Sequence, residues 1–348
     1  MVGTPGLAAA SKGASSAVRK AAGWYVTINS MSREMTREEN PALRWQSKAI
    51  LLLVVPWTAI AVLLQSRWWV AQAPVVAWTT LGISGVFGLV VWRMRAGTPA
   101  AAATGAAICA CLMFSSAAFP YQWSWLHGAL PPLLTVFLLT FAATKAGKAK
   151  KERLGTGEGR RGRNAAQVAA NLGIAALIAQ PGTLTSLPHS PVESWSGLEW
   201  ASFLPLIAGW LAIAALAEAA ADTVSSEIGQ VVGGEPRLIT TLRRVEPGTD
   251  GGVTFAGTAA GTLAAAIVAS TGASAFGQDW HGGGFWLWTA ITTAAAVFGL
   301  LFDSLLGATL ERRGWLNNDA VNFLSTLSAV LFALAEWLFL FSRHPFYI

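Results

Sequence analysis

The sequence predicts an all-α, polytopic integral membrane protein, and three observations support this prediction. Charged residues make up 12% of the chain and hydrophobic residues 53%, whereas a soluble domain carries about 25% charged residues. Apolar runs long enough to cross a bilayer as helices, roughly 17–25 residues each, recur along the chain. The Lys and Arg residues fall in alternate loops between these runs, which is the pattern that sets membrane orientation.

About nine apolar runs define the predicted transmembrane helices. They lie near residues 49–65, 75–92, 101–119, 127–144, 164–180, 201–221, 255–275, 285–303 and 323–341. Of the 24 Lys and Arg residues, 22 precede the first run or follow the second, fourth, sixth or eighth. Because cytosolic loops collect Lys and Arg, we predict a cytosolic N-terminus and an external C-terminus. The same distribution accounts for the net charge of +6 and argues against nucleic acid as a partner.

The predicted domain organisation has two parts. Residues 1–45 form a cytosolic N-terminal tail, partly disordered because its first part is rich in Gly, Ala and Ser. Residues 46–348 form a single transmembrane catalytic domain embedded in the lipid bilayer. We expect the chain to reside in the cell inner (plasma) membrane, with its active site at the cytosolic face, where the polar motifs of the sequence lie.

The first of these motifs, residues 221–229, ends the sixth apolar run with two carboxylates and three hydroxyl groups. Carboxylates at the edge of a membrane helix are costly unless the protein uses them. Asp222 and Glu227 are five residues apart, which places them about 140° apart around a continuous helix. Either the helix breaks after Asp222, or the two carboxylates face different ligands.

Two later motifs are also rich in side-chain oxygens. Asp303 ends the eighth apolar run, and residues 317–322, with three Asn and one Asp, open the ninth. None of these motifs contains His or Cys. Carboxylate and carboxamide oxygens suit Mg²⁺ rather than zinc, so the motifs favour a magnesium site.

Basic residues and carboxamides cluster after the fourth apolar run. The candidate phosphate-binding residues there are Lys145, Arg160, Arg161, Arg163, Asn164, Gln167 and Asn171. The three carboxamides follow an i, i+3, i+7 spacing and therefore share one helical face. The arginines stand at a helix N-terminus, where the helix dipole disfavours cations. A phosphate bound by the arginines and the free backbone N–H groups would resolve this conflict; the alternative is a basic loop that touches anionic lipid.

A second candidate phosphate site lies before the seventh apolar run. Arg243 and Arg244 precede a Pro-Gly turn, and Gly251 and Gly252 come just before the predicted helix. Consecutive glycines let backbone N–H groups form a concave anion-binding site. Next to two arginines, this loop is a candidate for binding phosphate.

Six stretches of the chain, taken together, resemble one membrane protein family. They are residues 162–171, 221–229, 236–241, 247–253, 303–309 and 317–322, and they occur in the family's order. The sequence is similar in these stretches to the family that includes transmembrane protein 19 and the chloroplast and cyanobacterial phytyl-phosphate kinases. The resemblance implies phosphorylation of a prenyl monophosphate (phytyl, geranylgeranyl or farnesyl phosphate) to the diphosphate. The implied donor is a nucleoside triphosphate, CTP by analogy with the related polyprenol kinases and lipid cytidylyltransferases.

Taken with the oxygen-rich motifs, this reaction gives the hypothesis of a transferase that depends on Mg²⁺ as its cofactor. The expected metal ligands are Asp222, Glu227, Asp303 and Asp319, of which the first three are also the expected catalytic residues. Ser226, Asn318 and Asn322 would join the arginines and glycines in binding phosphate. Two other functions stay open: nucleotidyl transfer that forms a CDP-linked lipid, and transport of an anionic lipid.

Overall fold

The computed structural model describes residues 41–117, 128–154, 162–179, 204–276 and 283–343. The chain divides into two compact units, residues 1–44 and 45–348. The first 40 residues, where we predicted a disordered tail, lie outside the described ranges.

The second unit is built from helices, which confirms the prediction of an all-α membrane fold. The helices are α1 (Arg44–Gln72), α2 (Pro74–Arg93), α3 (Pro99–Ser115), α4 (Leu130–Lys145), a short α5 (Lys148–Arg153), α6 (Ala165–Ile178), α7 (Leu204–Val232), α8 (Phe255–Phe276), α9 (Gly283–Leu306) and α10 (Asn318–Arg343). A π-helix, Gly307–Glu311, follows α9 directly. Two short antiparallel strands, β1 (Arg237–Leu238) and β2 (Gly252–Val253), pair in the loop between α7 and α8.

Six of the described helices are long and apolar enough to cross a membrane. These candidate spans are Pro41–Gln72, Pro74–Arg93, Leu206–Val232, Phe255–Phe276, Gly284–Glu311 and Asn318–Leu340. Three shorter apolar helices, α3, α4 and α6, lie at the third, fourth and fifth predicted positions. The count of about nine membrane-spanning helices stays a prediction, and so does the cytosolic location of the N-terminus.

Helix α7 lies at the centre of the bundle and packs against α4, α6, α8, α9 and α10. Its most apolar window is 83% buried, and its inner surface consists largely of alanine. Small residues let membrane helices approach closely. On α8, a Cβ at Gly261 would lie 2.6 Å from the backbone oxygen of Ala221, and one at Gly257 would lie 2.6 Å from that of Ser225. The polar end of α7 is therefore held in a tight helix–helix interface.

Helix α7 continues to Val232 without interruption, although the apolar run that predicted it ends at residue 221. Hydropathy marks where an apolar surface ends and does not mark where helical hydrogen bonding ends. Packing against α8 keeps the polar segment helical. The helix thus does not break after Asp222, and Asp222 and Glu227 must face different partners.

Candidate active site

Carboxylates from α7, α9 and the π-helix form one cluster, which we call the acidic cluster: Glu218, Asp222, Asp303 and Glu311. Asp303 lies within electrostatic range of Asp222, Glu218 and Glu311. Glu311 interacts in the same way with Asp222 and with Asp250 of the loop between α7 and α8. The structure thus brings together Asp222 and Asp303, which the sequence singled out as site residues.

Glu218 and Glu311 were not among the predicted site residues. Glu218 stands four residues before Asp222, a spacing that places two side chains on the same helical face. This spacing was a usable signal for Glu218. Glu311 had no such signal, because its position depends on the π-helix that follows α9.

Two oxygens of the acidic cluster are buried without a hydrogen-bond partner among the described residues. The Glu218 side chain is 1% exposed, and its Oε2 accepts a hydrogen bond from the Thr326 hydroxyl at 2.7 Å. Its Oε1 and the Oδ1 of Asp303 accept no hydrogen bond of good geometry in the described part of the chain, although the Ser325 hydroxyl lies close enough to interact with both side chains. Gly299 provides the room for Glu218, since a Cβ there would lie 2.6 Å from the Glu218 Cγ. Buried carboxylate oxygens without partners favour a bound cation.

The acidic cluster fits Mg²⁺ only as part of a larger coordination shell. Within the described ranges, no group of three or more His, Cys, Asp and Glu side chains could by itself hold a metal ion. Magnesium commonly takes one or two protein carboxylates and completes its shell with substrate phosphate oxygens and water. Asp222 and Asp303, which supply only oxygen ligands, fit this role. Asp319 is buried in the first turn of α10.

Glu227 has a partner that the sequence did not predict. Its Oε2 lies 2.6 Å from the Nζ of Lys151, a 2%-exposed lysine on α5. Because α7 is continuous, Glu227 points away from Asp222, toward α4 and α5. The structure therefore pairs Glu227 with a buried lysine, and its role as a metal ligand stays a prediction. Lys151 was missed because a lysine in a Lys-rich loop is usually solvated.

Arg163 stands beside the acidic cluster, where it faces Asp222 electrostatically. Its Nη2 donates to the Thr223 hydroxyl at 3.2 Å. Its backbone is fixed by two hydrogen bonds, from its N–H to Ala96 at 3.1 Å and to its carbonyl from Thr98 at 2.9 Å. Gly162 has a φ of +68° and passes so close to Ala96 that a side chain would not fit. The Gly162-Arg163 pair thus fixes one cation next to Asp222.

A cavity lies beside Arg163, bounded by α2, α3, α4, α6 and α7. Its apolar lining includes Phe87, Val91, Leu133, Val136, Phe137, Phe141, Val168 and Leu172, and its polar lining includes Thr140, Thr144, Lys145, Arg163 and Asn171. Along α4 the cavity extends from Leu133 to Lys145, about 18 Å at 1.5 Å per residue.

The two cationic residues of the cavity share one end of it. Arg163 contacts Thr223 on α7, and Thr144, next to Lys145, contacts Glu227 one turn further along α7 at 3.5 Å. The Lys145 side chain is exposed, and its Nζ lies 5.2 Å from the centre of the Phe141 ring. The cavity is therefore apolar along most of its length and cationic at the end that borders the acidic cluster.

The three carboxamides of α6 have separate roles in the structure. Asn164 and Gln167 form a capping box, in which each side chain accepts a hydrogen bond from the other's backbone N–H. Both of these hydrogen bonds are exposed. Only Asn171 lines the cavity, and its Nδ2 donates to the Gln167 carbonyl at 2.8 Å. The Asn-x-x-Gln spacing is that of a capping box. Arg160 and Arg161 lie outside the described residues.

The loop between α7 and α8 is the predicted second phosphate site. Its arginines and glycines contact other residues of the protein. Arg244 pairs with Glu235 at 2.7 Å, with both side chains more than two-thirds exposed at 69% and 68%, and Arg243 is exposed. The Gly252 N–H donates to the Thr249 carbonyl at 2.9 Å. Gly251 lies against Ala308 of the π-helix. The two glycines thus shape a turn that docks on the π-helix.

Replacing Gly251 with Ala is expected to destabilise the protein more than the same change at Gly234. Both glycines have positive φ, +73° and +70°, which costs an alanine about 1–2 kcal/mol. At Gly251 the new methyl group would also overlap Ala308, whereas at Gly234 it would meet open space. We expect the overlap at Gly251 to lower the free energy of unfolding by about 1–3 kcal/mol more. Thermal unfolding in detergent measures the difference between the two variants. Equal losses of stability would contradict the contact between Gly251 and the π-helix.

Of the three asparagines at the start of α10, Asn317 joins α10 to α1. Asn317 caps α10 by accepting the Ala320 N–H at 2.9 Å, and its Nδ2 donates to Ser47 on α1 at 2.9 Å. Asn318 is exposed. The backbone carbonyl of Asn322 accepts hydrogen bonds from two hydroxyls of α10. Ser226 is exposed and donates to the Thr223 carbonyl at 3.0 Å.

Comparison with known proteins identifies related membrane proteins. An archaeal relative, the uncharacterized membrane protein MJ0933 of Methanocaldococcus jannaschii, is 43% identical over 33% of this chain and 45% of its own length. Protein PGR of Arabidopsis thaliana is 32% identical over 58% of this chain and 78% of its own length. The chloroplastic protein VTE6 of the same plant is 30% identical over 58% of both chains. This chain thus spans less than half of the archaeal protein and most of PGR. No solved structure matches it significantly.

A family model covers the segment that carries the site. It is described as "Integral membrane protein DUF92" and matches residues 82–330, which include α3 to α9, the cavity and the acidic cluster. The match spans more than half of the chain, and the multi-pass helical architecture agrees with it. The chain is therefore a member of the DUF92 family of integral membrane proteins.

Proposed function

We propose that this protein phosphorylates a prenyl monophosphate to the diphosphate, with a nucleoside triphosphate, CTP in the first instance, as donor and Mg²⁺ as cofactor. The observation that carries the proposal is the cavity, which is apolar along α4 and whose cationic end borders the acidic cluster. A prenyl monophosphate has the same polarity, with a long apolar tail and one anionic head. The resemblance to the phytyl-phosphate kinases supports the same chemistry.

In the proposed reaction, an oxygen of the acceptor phosphate attacks the γ-phosphorus of the donor. The bond from that phosphorus to the bridging β–γ oxygen breaks, and the nucleoside diphosphate leaves. Catalysis of this transfer is mostly positioning and charge neutralisation. The acceptor phosphate is already an anion at neutral pH, so the site needs no strong general base.

The residues of the site divide these tasks. Arg163 and Lys145 would bind the acceptor phosphate at the end of the cavity. Asp222 and Asp303 would hold Mg²⁺, which neutralises charge on the transferred phosphoryl group when it is bound. The apolar lining would hold the prenyl tail and exclude water from it.

The proposal is tested by supplying the purified protein with farnesyl, geranylgeranyl and phytyl monophosphates, Mg²⁺ and each nucleoside triphosphate in turn. We expect a prenyl diphosphate and a nucleoside diphosphate in equal amounts, and no product when EDTA removes the metal. Pyrophosphate as the co-product would instead support nucleotidyl transfer. Lipid flux in liposomes without nucleotide turnover would support a transporter, and the absence of diphosphate from every combination would contradict the proposal.

Replacing Leu133 with Trp is expected to shift the preference of the enzyme toward shorter prenyl chains. Leu133 lines the cavity at the end far from Lys145, so a larger side chain there shortens the space for the tail. We expect the ratio of kcat/KM for geranylgeranyl over farnesyl monophosphate to fall by about tenfold or more. The control is Leu134→Trp, because Leu134 is 38% exposed and is not part of the lining. An equal shift in both variants would contradict this placement of the tail.

A further inference from the structure

The buried ion pair between Lys151 and Glu227 has no part in the proposed chemistry, yet it is fully satisfied. The Lys151 Nζ lies 2.6 Å from Glu227 Oε2. It also donates to the backbone carbonyls of Ala143 at 3.0 Å and Thr144 at 2.8 Å. An ammonium group has three donors, and these three contacts match them. A lysine is almost never buried unless it is paired, so these three contacts are what allow Lys151 to be buried here.

The two carbonyls belong to the last turn of α4, where backbone oxygens have few partners within the helix; that of Ala143 also accepts the Ala146 N–H at 3.2 Å. A cation at this position also interacts favourably with the helix dipole. Thr144 lines the cavity, and its neighbour Lys145 is one of the two cations at the cavity end. Lys151 therefore holds the part of α4 that presents Lys145.

The segment around Lys151 is fixed to α7 by further contacts. Gly147, with a φ of +59°, turns the chain from α4 into α5 and lies so close to Val231 on α7 that a side chain would overlap it. The Nζ of Lys150 donates to the Val231 carbonyl at 2.7 Å. Glu227 also lies on α7, so the ion pair joins α4 and α5 to the helix that carries Asp222.

We propose that Lys151 and Glu227 are a positioning pair, which holds the end of α4 so that Lys145 faces the cavity and binds the anionic head of the substrate. Glu227 then acts through α4 and does not ligate a metal. The identity of the substrate in this proposal rests on the proposed function. The positioning itself rests only on the contacts of Lys151.

The test removes both charges together, because removing one would leave the other buried and unpaired. The variant Lys151→Met/Glu227→Met is compared with Lys148→Met/Glu152→Met. The latter is an ion pair on the same short helix, with side chains 64% and 62% exposed. Turnover, binding and backbone hydrogen exchange are measured on the full-length protein in detergent.

We expect the KM for geranylgeranyl monophosphate to rise by about tenfold or more in the buried-pair variant, with kcat changed by less than about threefold. Binding of geranylgeraniol, which lacks the phosphate, should be unchanged. The backbone N–H groups of residues 144–148 should exchange about tenfold faster or more, because the end of α4 is released. The control variant should show none of these changes.

Each contrary outcome overturns the proposal in a different way. A large loss of kcat at unchanged KM would make Glu227 a catalytic residue or metal ligand. Unchanged hydrogen exchange at the end of α4 would show that the pair positions nothing. If the wild-type protein turns over no prenyl monophosphate, the proposed function fails, and hydrogen exchange alone still decides whether the pair holds α4.

Discussion

Replacing Asp303 with Asn is expected to lower kcat by about 10³-fold, the range for loss of one charge-stabilising group. Asp303 is the member of the acidic cluster on α9, and its Oδ1 has no partner among the described residues. The amide would keep the size of the side chain but lose the charge that attracts Mg²⁺. Asp222→Asn should have an effect of similar size. The rate of diphosphate formation at saturating substrate measures both.

The control for the Asp303 and Asp222 variants is Glu336→Gln. Glu336 is another half-buried carboxylate of the membrane domain, on α10, with a side-chain oxygen that has no partner in the described part of the chain. We expect this variant to retain kcat, and all three variants to retain the thermal unfolding midpoint of the wild type within a few degrees. Full turnover by Asp303→Asn would remove Asp303 from the metal site.

Replacing Arg163 with Gln is expected to lower kcat/KM for the prenyl monophosphate by about 10²–10³-fold. Arg163 lines the cavity and also faces Asp222, so its charge acts on the acceptor phosphate next to the acidic cluster. Glutamine can still hydrogen-bond to Thr223 but carries no charge. Steady-state kinetics with varied monophosphate should show most of the loss as a higher KM.

Arg244→Gln is the matched control, because the sequence placed both arginines at phosphate sites and the structure separates them. Arg244 forms an exposed ion pair with Glu235, which contributes little to stability. We expect its kcat/KM to stay within about twofold of the wild type. A loss as large as that of Arg163→Gln would place a phosphate at the loop between α7 and α8.

The helix positions could be predicted from the sequence because apolar length is a direct requirement of the bilayer. The runs at 75–92 and 255–275 correspond closely to Pro74–Arg93 and Phe255–Phe276. The end of α7 could not be predicted this way. Its last turns are polar and stay helical because Gly257 and Gly261 pack against them, a tertiary contact that hydropathy does not contain.

The site residues could be predicted from the sequence where a side chain is too costly to bury without a partner of opposite charge. Buried carboxylates in a membrane protein are costly, which drew attention to Asp222 and Asp303. Glu227 satisfied the same criterion, but its partner, Lys151, looked like one of several loop lysines. The sequence predicts ligand-binding groups at Asn164 and Gln167, but their spacing also fits a capping box, which is what the structure contains.

The cavity could not be predicted from the sequence. Its large apolar lining residues are Phe, Leu and Val from α2, α4 and α6, and such residues look the same in a sequence whether they face lipid, core or a ligand. Only the packing of the helices distinguishes Leu133, which is 2% exposed, from its neighbour Leu134, which is 38% exposed. The polarity of the cavity, which suggests an amphiphilic substrate, depends on that packing.

Transfer of radioactive phosphate tests the central claim most directly. The purified protein is incubated with geranylgeranyl monophosphate, Mg²⁺ and CTP labelled at either the γ- or the α-phosphate, and the lipid product is separated and counted. We predict that the γ label enters a prenyl diphosphate and that the α label does not. An α label in the lipid, or no label in the lipid from either donor, would contradict the claim that this membrane protein is a prenyl-phosphate kinase.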